Sequence, residues 1–167
     1  MSLYVSWTNR IKTLATPEWL TTGQRQAYEA LLTKWRSHKV VCLVGPQGSG
    51  KSFVARLLHT EHEFAYVSDI REPLGTASRV VVDGTPFSRH VLSVCQQLGL
   101  ERVVVVQRSK PVDHVPCAVI ELKEADVLEF RSVLFKRGVL QWFSSEAPTT
   151  DLERLLRDEA ARRVAGV

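Results

Sequence analysis

One short segment combines glycines, a lysine and a hydroxyl group in a fixed spacing. Gly45-Pro46-Gln47-Gly48-Ser49-Gly50-Lys51-Ser52 fits the pattern G-x-x-x-x-G-K-[ST] without a mismatch. Glycine permits the backbone conformations by which a tight loop turns several peptide N–H groups toward one anion. The lysine adds a full positive charge, and the serine hydroxyl is a hard oxygen ligand of the kind that Mg²⁺ prefers. These residue types in this order predict a loop that binds the phosphates of a nucleotide.

The residues predicted to bind nucleotide form one unbroken run. They are Gly45, Pro46, Gln47, Gly48, Ser49, Gly50, Lys51, Ser52 and Phe53. We expect Lys51 to contact the β- and γ-phosphates and Ser52 to ligate Mg²⁺. The alternative is an ordinary glycine turn with a surface lysine. The context disfavours that alternative, because a buried strand is predicted before the segment and an amphipathic helix after it.

A second metal ligand is predicted at the end of another apolar run. Arg79–Asp83 reads RVVVD, so an acid follows directly after the apolar residues. A phosphate-binding loop of this kind requires a carboxylate to hold Mg²⁺, and we expect Asp83 to share the metal with Ser52. Asp83 also begins an Asp-Gly pair, so a simple turn is the alternative. Asp69 is the lesser candidate for the same role.

The elements that position these residues are five apolar runs alternating with helical patterns. Strands are predicted at Val40–Val44, Phe64–Val67, Arg79–Asp83, Arg102–Gln107 and Cys117–Leu122. Helices are predicted over Thr22–Trp35, Ser52–His59, Pro86–Leu98, Glu124–Lys136 and Asp151–Val164. The first twenty residues are expected to be irregular, apart from a helix start at Thr16–Glu18. Continuously apolar strands that alternate with helices predict an α/β three-layer sandwich with a mainly parallel five-stranded sheet. An α+β fold with some antiparallel pairing is the alternative.

The length and composition fit one globular domain. The chain has 167 residues, of which 44% are hydrophobic and 24% charged, so it is not a disordered sequence. We divide it into an N-terminal segment and helix (1–38), a nucleotide-binding core (39–122) and a lid-like C-terminal helical extension (123–167). The three widely spaced cysteines favour free thiols in a reducing compartment. With no apolar run long enough for a membrane span and no signal-peptide pattern, we expect a cytoplasmic protein without a membrane partner.

The run Gly45–Ser52 resembles the Walker A motif of the P-loop NTPases. The order of the strands over residues 40–122 is similar to the additional-strand division, which contains the AAA+ and RecA-like ATPases. This resemblance implies an ATPase that uses ATP and Mg²⁺, with Gln107 or Ser109 reaching toward the γ-phosphate. It also implies a homo-oligomer or a larger ATPase partner. A net charge of +4, together with the resemblance, adds a nucleic-acid partner to the expectations.

Two departures from the family pattern leave alternatives open. Family members usually carry a glutamate directly after the Walker B aspartate as the general base, and this chain has Gly84 there. The short connection Arg108–Pro116 also leaves no room for the helix that usually carries an arginine finger. Arg108 and Lys110 are the candidates to stabilise transition-state charge instead, although each is interpreted first as a solvated loop cation. A nucleotide-dependent switch with little hydrolysis is therefore one alternative to an ATPase.

A small-molecule or nucleotide kinase is the other alternative. Such kinases share the phosphate-binding loop and clamp the phosphates with a lid that carries several cations. Arg131, Lys136 and Arg137 on the later helix are the candidates for that lid.

The helical pattern before the loop carries two glutamines. In several helicases and related ATPases a glutamine upstream of Walker A touches adenine, and Leu20–Leu32 is similar to that segment. Gln24 and Gln26 are nevertheless interpreted first as solvated residues of an amphipathic helix. If a base stacks nearby, the candidate aromatic residues are Tyr4, Trp7 and Trp19.

Overall fold

The computed structural model of the protein describes residues 2–14, 16–140 and 150–165. Within these residues the strands are β1 (Val40–Val44), β2 (Ala65–Val67), β3 (Arg79–Val82), β4 (Arg102–Gln107) and β5 (Cys117–Val119). The α-helices there are α1 (Leu3–Leu14), α2 (Thr22–Ser37), α3 (Lys51–His62), α4 (Arg89–Gln97), α5 (Glu124–Lys136) and α6 (Leu152–Ala165), with a single 3-10 turn at Pro17–Trp19.

The five strands form one parallel sheet in the order β2-β3-β4-β1-β5. Val40 pairs with Val103 of β4 on one side of β1, and Cys42 pairs with Cys117 of β5 on the other. The predicted parallel sheet is therefore confirmed, and the alternative with antiparallel pairing is wrong. The connection after β1 leads to one side of the sheet, toward β2, and the connection after β4 leads to the other side, to β5. The carboxyl ends of β1 and β4 therefore lie at the switch point where such folds bind ligands.

Alternate residues of the strands bury two opposite faces of the sheet. Val41 and Leu43 of β1 pack with α2 and α3 in one cluster, whereas Cys42 and Val44 pack with α4 in another. Both faces are apolar because both are covered, which explains why the strands read as unbroken apolar runs rather than alternating ones. The result is the predicted three-layer α/β/α sandwich.

A further apolar cluster lies outside the sandwich, where α1 packs with α5 and α6. Trp7 and Ile11 of α1 are 6% and 5% exposed, and they pack with residues such as Phe130 of α5 and Leu156 of α6. The prediction of an irregular N-terminus is therefore wrong over Leu3–Leu14. The apolar side chains of α1 recur at helical spacing, and the helix is stabilised by partners more than a hundred residues away.

The other predicted elements occur in their predicted order. β1, β4 and α5 also have their predicted bounds, whereas the rest differ in their bounds. The predicted helix over Pro86–Leu98 begins later, at Arg89, because the side chain of Ser88 accepts a hydrogen bond from the Val91 N–H and caps the helix there. The fifth strand ends at Val119, before the predicted Leu122. Among the residues that the structure describes, no helix combines the length and apolar character needed to cross a bilayer.

Candidate functional site

The segment Gly45–Ser52 forms a loop at the carboxyl end of β1 and leads into α3. Gly48 and Gly50 have φ angles of +72° and +81°, in the left-handed region that glycine adopts at little cost. The first N–H groups of α3 have no acceptor within the helix and lie at the positive end of its dipole. Loop and helix terminus together suit the binding of an anion.

Lys51 is the first residue of α3, and its ammonium group lies over the loop. Its Nζ donates a hydrogen bond to the carbonyl oxygen of Pro46 at 2.5 Å. Burial is the main cause that lowers the pKa of Lys51. The charge of Asp83 opposes that effect, Arg108 adds to it and Asp151 opposes it. Charged groups from three separate parts of the chain therefore act on this one ammonium group.

A cavity of about 550 Å³ opens beside Lys51 where the strands end, and we call it the strand-side cavity. Its lining includes the predicted residues Gln47, Gly48, Lys51, Ser52, Asp83, Gln107 and Arg108. They meet because β1, β3 and β4 are parallel, so that the residues following each strand lie at the same edge of the sheet. The topology thus brings the candidate catalytic and metal-binding residues to one place.

Asp83 and Ser52 supply two hard oxygen ligands to this cavity. Asp83 follows β3 directly, and its carboxylate accepts a short hydrogen bond from the phenol of Tyr66. Mg²⁺ commonly takes one or two protein oxygens and completes its shell with waters and phosphate oxygens. The side chains present therefore fit a magnesium ion bound together with a nucleotide. Within the described residues, no group of three or more His, Cys, Asp and Glu side chains is placed to hold a metal.

Asp69, the lesser candidate for the metal, makes a different interaction. Its carboxylate forms an ion pair with Arg71 at 2.5 Å. The hydrogen bond from Arg71 is the main cause that lowers the pKa of Asp69 to about 2.

Gly84 stands where the family pattern has a glutamate, and the neighbouring strand crowds that position. A β-carbon at Gly84 would lie 2.7 Å from the carbonyl oxygen of Ser68, which follows β2. That distance is shorter than a van der Waals contact, so any side chain there would require the backbone to move. The Ser68 carbonyl therefore occupies the space into which a general base at this position would extend.

Gln107 and Arg108 lie at the end of β4 and differ in their contacts. The amide oxygen of Gln107 accepts from the Phe87 N–H at 2.9 Å, and its amide nitrogen donates to the Ser109 carbonyl at 2.7 Å. These bonds fix the Gln107 side chain against its own loop, with one amide hydrogen left for a ligand. Arg108 is exposed and lines the same cavity.

Gln24 supports the loop from beneath, a role that the sequence did not suggest. It is 2% exposed, and its amide nitrogen donates to the Ser49 carbonyl at 3.0 Å. Its amide oxygen accepts from the Thr21 N–H at 3.1 Å, which completes the capping box of α2. The interpretation of Gln24 as a solvated residue is wrong, because α2 packs its first turn against the loop. Gln26, two residues later, is exposed.

The first turn of α6 also contacts the loop. The Leu152 N–H donates to the Gly48 carbonyl at 2.9 Å, and a β-carbon at Gly48 would overlap the carboxylate of Asp151. Glycine is thus required at this position by its φ angle and by the approach of Asp151. Glu153, the second residue of α6, accepts from the Tyr4 hydroxyl at 3.2 Å and pairs with Arg157 at 2.5 Å.

A second cavity, of about 340 Å³, lies on the other side of Lys51, and we call it the helix-side cavity. Its walls include the aromatic side chains of Tyr4, Phe53 and Phe130. Four residues line both cavities: Gly48, Lys51, Ser52 and Glu153. The two spaces therefore meet over the start of α3, and the helix-side cavity is the more apolar of the two.

The other predicted residues fall in different environments. Tyr4 and Phe53 line the helix-side cavity, as described above. Trp7 and Trp19, the other candidates to stack on a base, are 6% and 2% exposed and belong to the cluster of α1, α5 and α6. Ser49 is a fully buried residue of the loop itself, and its hydroxyl has no hydrogen-bond partner within the described part of the chain.

Comparison with known proteins does not assign the chain to a group. No protein-family model matches it, and no curated protein matches it at a significant level.

Proposed function

We propose that this protein is a P-loop domain of the additional-strand, AAA+/RecA-like division that binds ATP with Mg²⁺ and hydrolyses it slowly. One observation carries the proposal. The glycine loop with Lys51 and Ser52 lies at the carboxyl end of β1, and Asp83 faces it across a single cavity. The position of β4 between the strand of the loop and the strand of Asp83 further supports this division.

The two cavities divide the nucleotide between them. The residues lining both of them, Lys51 and Ser52 included, mark the path of the triphosphate. The base occupies the helix-side cavity, where Tyr4, Phe53 and Phe130 offer aromatic surface. The terminal phosphate then reaches the strand-side cavity, toward Asp83, Gln107 and Arg108.

Each residue of the site has a physical role in this proposal. The N–H groups of the loop and of the first turn of α3 bind phosphate oxygens, and Lys51 neutralises their charge. Ser52 and Asp83 hold Mg²⁺, which when bound offsets the negative charge of the phosphates. Gln107 orients its remaining amide hydrogen toward the terminal phosphate. Arg108 is placed to stabilise charge that develops there.

The experiment that tests the proposal is ligand-linked stabilisation of the whole chain. ATP with Mg²⁺ at a hundred times its dissociation constant should raise the free energy of unfolding by about 2.7 kcal/mol. Lys51→Ala should lose most of this gain, since it removes the charge at the phosphates. Lys39→Ala is the matched control, because Lys39 is exposed and precedes β1. No gain in the wild-type protein, or equal gains in wild type and Lys51→Ala, would contradict the proposal.

A nucleotide-dependent switch with little hydrolysis is the second candidate function. The Ser68 carbonyl beside Gly84 favours it, because the usual place of the general base is closed. We expect a turnover below about 1 s⁻¹, the low end of typical kcat values. Measurement of phosphate release at saturating ATP decides this point, and a faster turnover would exclude the switch.

The contacts of the helical segment do not favour the kinase alternative. Arg131, one of the candidate lid cations, is 2% exposed and pairs with Glu159 at 2.6 Å. The guanidinium of Arg137 lies over the ring of Trp19, 5.6 Å from its centroid. These two cations serve the packing of the helices, and neither lines either cavity.

A further inference from the structure

A tyrosine that belongs to none of the sequence motifs contacts one of the candidate metal ligands, Asp83. Tyr66 is in the edge strand β2, which pairs with β3 so that Val67 is opposite Val82. Its phenol donates a short hydrogen bond to Oδ2 of Asp83, the residue after Val82. The strand pairing therefore places this hydroxyl directly against the carboxylate proposed to hold the metal.

The ring of Tyr66 is held from the side of α3. The guanidinium of Arg56 lies 4.7 Å from the ring centroid, a distance typical of a cation–π contact. Arg56 follows Ser52 by four residues, so the two lie on the same face of α3. Helix α3, which supplies the candidate metal ligand Ser52, therefore also holds the ring of Tyr66. The hydroxyl of that ring binds the other candidate ligand, Asp83.

The phenol is a hydrogen-bond donor over the whole neutral range. Burial is the main cause that raises the pKa of Tyr66, and the hydrogen bond and charge of Asp83 raise it further. Arg56 and the Ser52 hydroxyl act in the opposite direction, because both favour the ionised phenol.

We propose that Tyr66 is a positioning residue for the metal ion, holding the Asp83 carboxylate in the orientation that binds it. This inference rests on the proposed function. A hydrogen bond to one carboxylate oxygen fixes the plane of the group and leaves the other oxygen for the metal. Partners of this kind commonly change metal affinity by 10- to 100-fold when they are removed. The hydroxyl itself donates no proton to the reaction and touches no reacting atom.

The test measures metal affinity rather than activity. Mn²⁺ is titrated into the full chain saturated with a non-hydrolysable ATP analogue, and the bound ion is followed by electron paramagnetic resonance. Tyr66→Phe should weaken Mn²⁺ binding at least 10-fold, while the affinity for the analogue in EDTA stays within twofold of wild type. Tyr28→Phe is the matched control, since it removes the hydroxyl of a tyrosine on α2 that lines neither cavity, and should leave both affinities unchanged.

The outcomes separate this inference from the proposed function. If the wild-type protein binds analogue and Mn²⁺ but Tyr66→Phe binds Mn²⁺ within twofold of wild type, the inference is overturned and the proposed function stands. If the wild-type protein binds neither, both are overturned. Should Tyr66→Phe not fold, Arg56→Met decides, because it frees the ring and keeps the hydroxyl. A smaller loss in the same direction then supports the inference, and wild-type metal affinity overturns it.

Discussion

The two cavities that meet over the start of α3 are built in different ways. The strand-side cavity is formed by residues that follow β1, β3 and β4, so the register of one parallel sheet sets their spacing. The helix-side cavity is formed where α1, α5 and α6 pack beside the loop, and its lining residues are spread from Tyr4 to Leu156. We call the residues that line the two cavities the strand-side wall and the helix-side wall. Backbone hydrogen bonds between strands determine the first, and side-chain packing between helices determines the second.

The polar groups on the strand side therefore depend on strand pairing, whereas the surroundings on the helix side depend on the docking of helices. Polar groups on a sheet edge keep their spacing as long as the strands pair, because neighbouring strands are fixed about 4.8 Å apart. The helix-side cavity exists only while α6 contacts the loop, through Leu152 and Asp151. Substitutions on the two sides should therefore change different quantities. On the strand side they should alter the metal site, and on the helix side the stability of the loop and its affinity for nucleotide.

Gly48→Ala should have the largest effect, because it acts on the loop and on the docking of α6 together. The left-handed φ of +72° costs an L residue about 1–2 kcal/mol. Displacement of Asp151 removes the N-cap of α6, whose carboxylate accepts from the Arg154 N–H, at a further cost of about 1 kcal/mol. We expect a loss of about 3 kcal/mol in the free energy of unfolding, measured with urea, and loss of ATP binding.

Gly75→Ala provides the control for that substitution. Gly75 has a φ of +58°, but no other group lies within 4 Å of the position of its β-carbon. The left-handed φ imposes the same kind of conformational cost on alanine here as at Gly48, but no contact with α6 is affected. We therefore expect a loss of about 1 kcal/mol in the free energy of unfolding and normal ATP binding. Equal losses of unfolding free energy in the two variants would show that the contact between Gly48 and Asp151 does not contribute to stability. Such a result would weaken the contrast between the two walls.

The strand-side wall could be predicted from sequence to a greater extent than the helix-side wall. β1 and β4 were predicted with their observed bounds, because a strand buried on both faces reads as an unbroken apolar run. Asp83 reaches the cavity for the same reason, since an acid at the end of a parallel strand lies at the ligand-binding edge. Tyr66 was missed although its strand was predicted, because its contact with Asp83 depends on which strands are neighbours.

The helix-side wall was predicted only in part, because it depends on contacts between distant parts of the chain. The bounds of α5 were predicted as observed, but helix α1 and its packing were not. The side chains of α1 that face inward, such as Trp7 and Ile11, gain their burial from α5 and α6. No local signal in the first twenty residues specifies those partners. The burial of Gln24 likewise follows from the docking of α2 on the loop, whereas Gln26, in the same helix, remains solvated as predicted.

Gln24→Leu should have the next largest effect, and it tests the support of the loop from the helix side. The substitution leaves the Ser49 carbonyl and the Thr21 N–H without their buried partner, at a cost of about 2 kcal/mol in the free energy of unfolding. Because the loop loses its support, ATP affinity should also fall, by about 10-fold, or roughly 1.4 kcal/mol. Urea unfolding and calorimetric titration with ATP measure the two quantities.

Gln26→Leu is the matched control for that prediction. The same change on an exposed position of α2 should alter stability by no more than about 0.5 kcal/mol and leave ATP affinity unchanged. If both variants bind ATP as the wild type does, the loop does not need the Gln24 amide, and the helix-side wall contributes less to binding than its contacts suggest.

Gly84→Glu should have the smallest effect, and it tests the strand-side wall alone. A glutamate here matches the family pattern in sequence, yet the Ser68 carbonyl, 2.7 Å from the position of the β-carbon, blocks the path of its side chain. We expect a loss of about 1 kcal/mol in stability as the backbone shifts, with no increase in phosphate release. A rise in turnover of tenfold or more would mean that the main chain at Ser68, just after β2, moves to make room for the new side chain. In that case the strand-side wall is as adaptable as the helix-side wall, and the contrast between them is not one of rigidity.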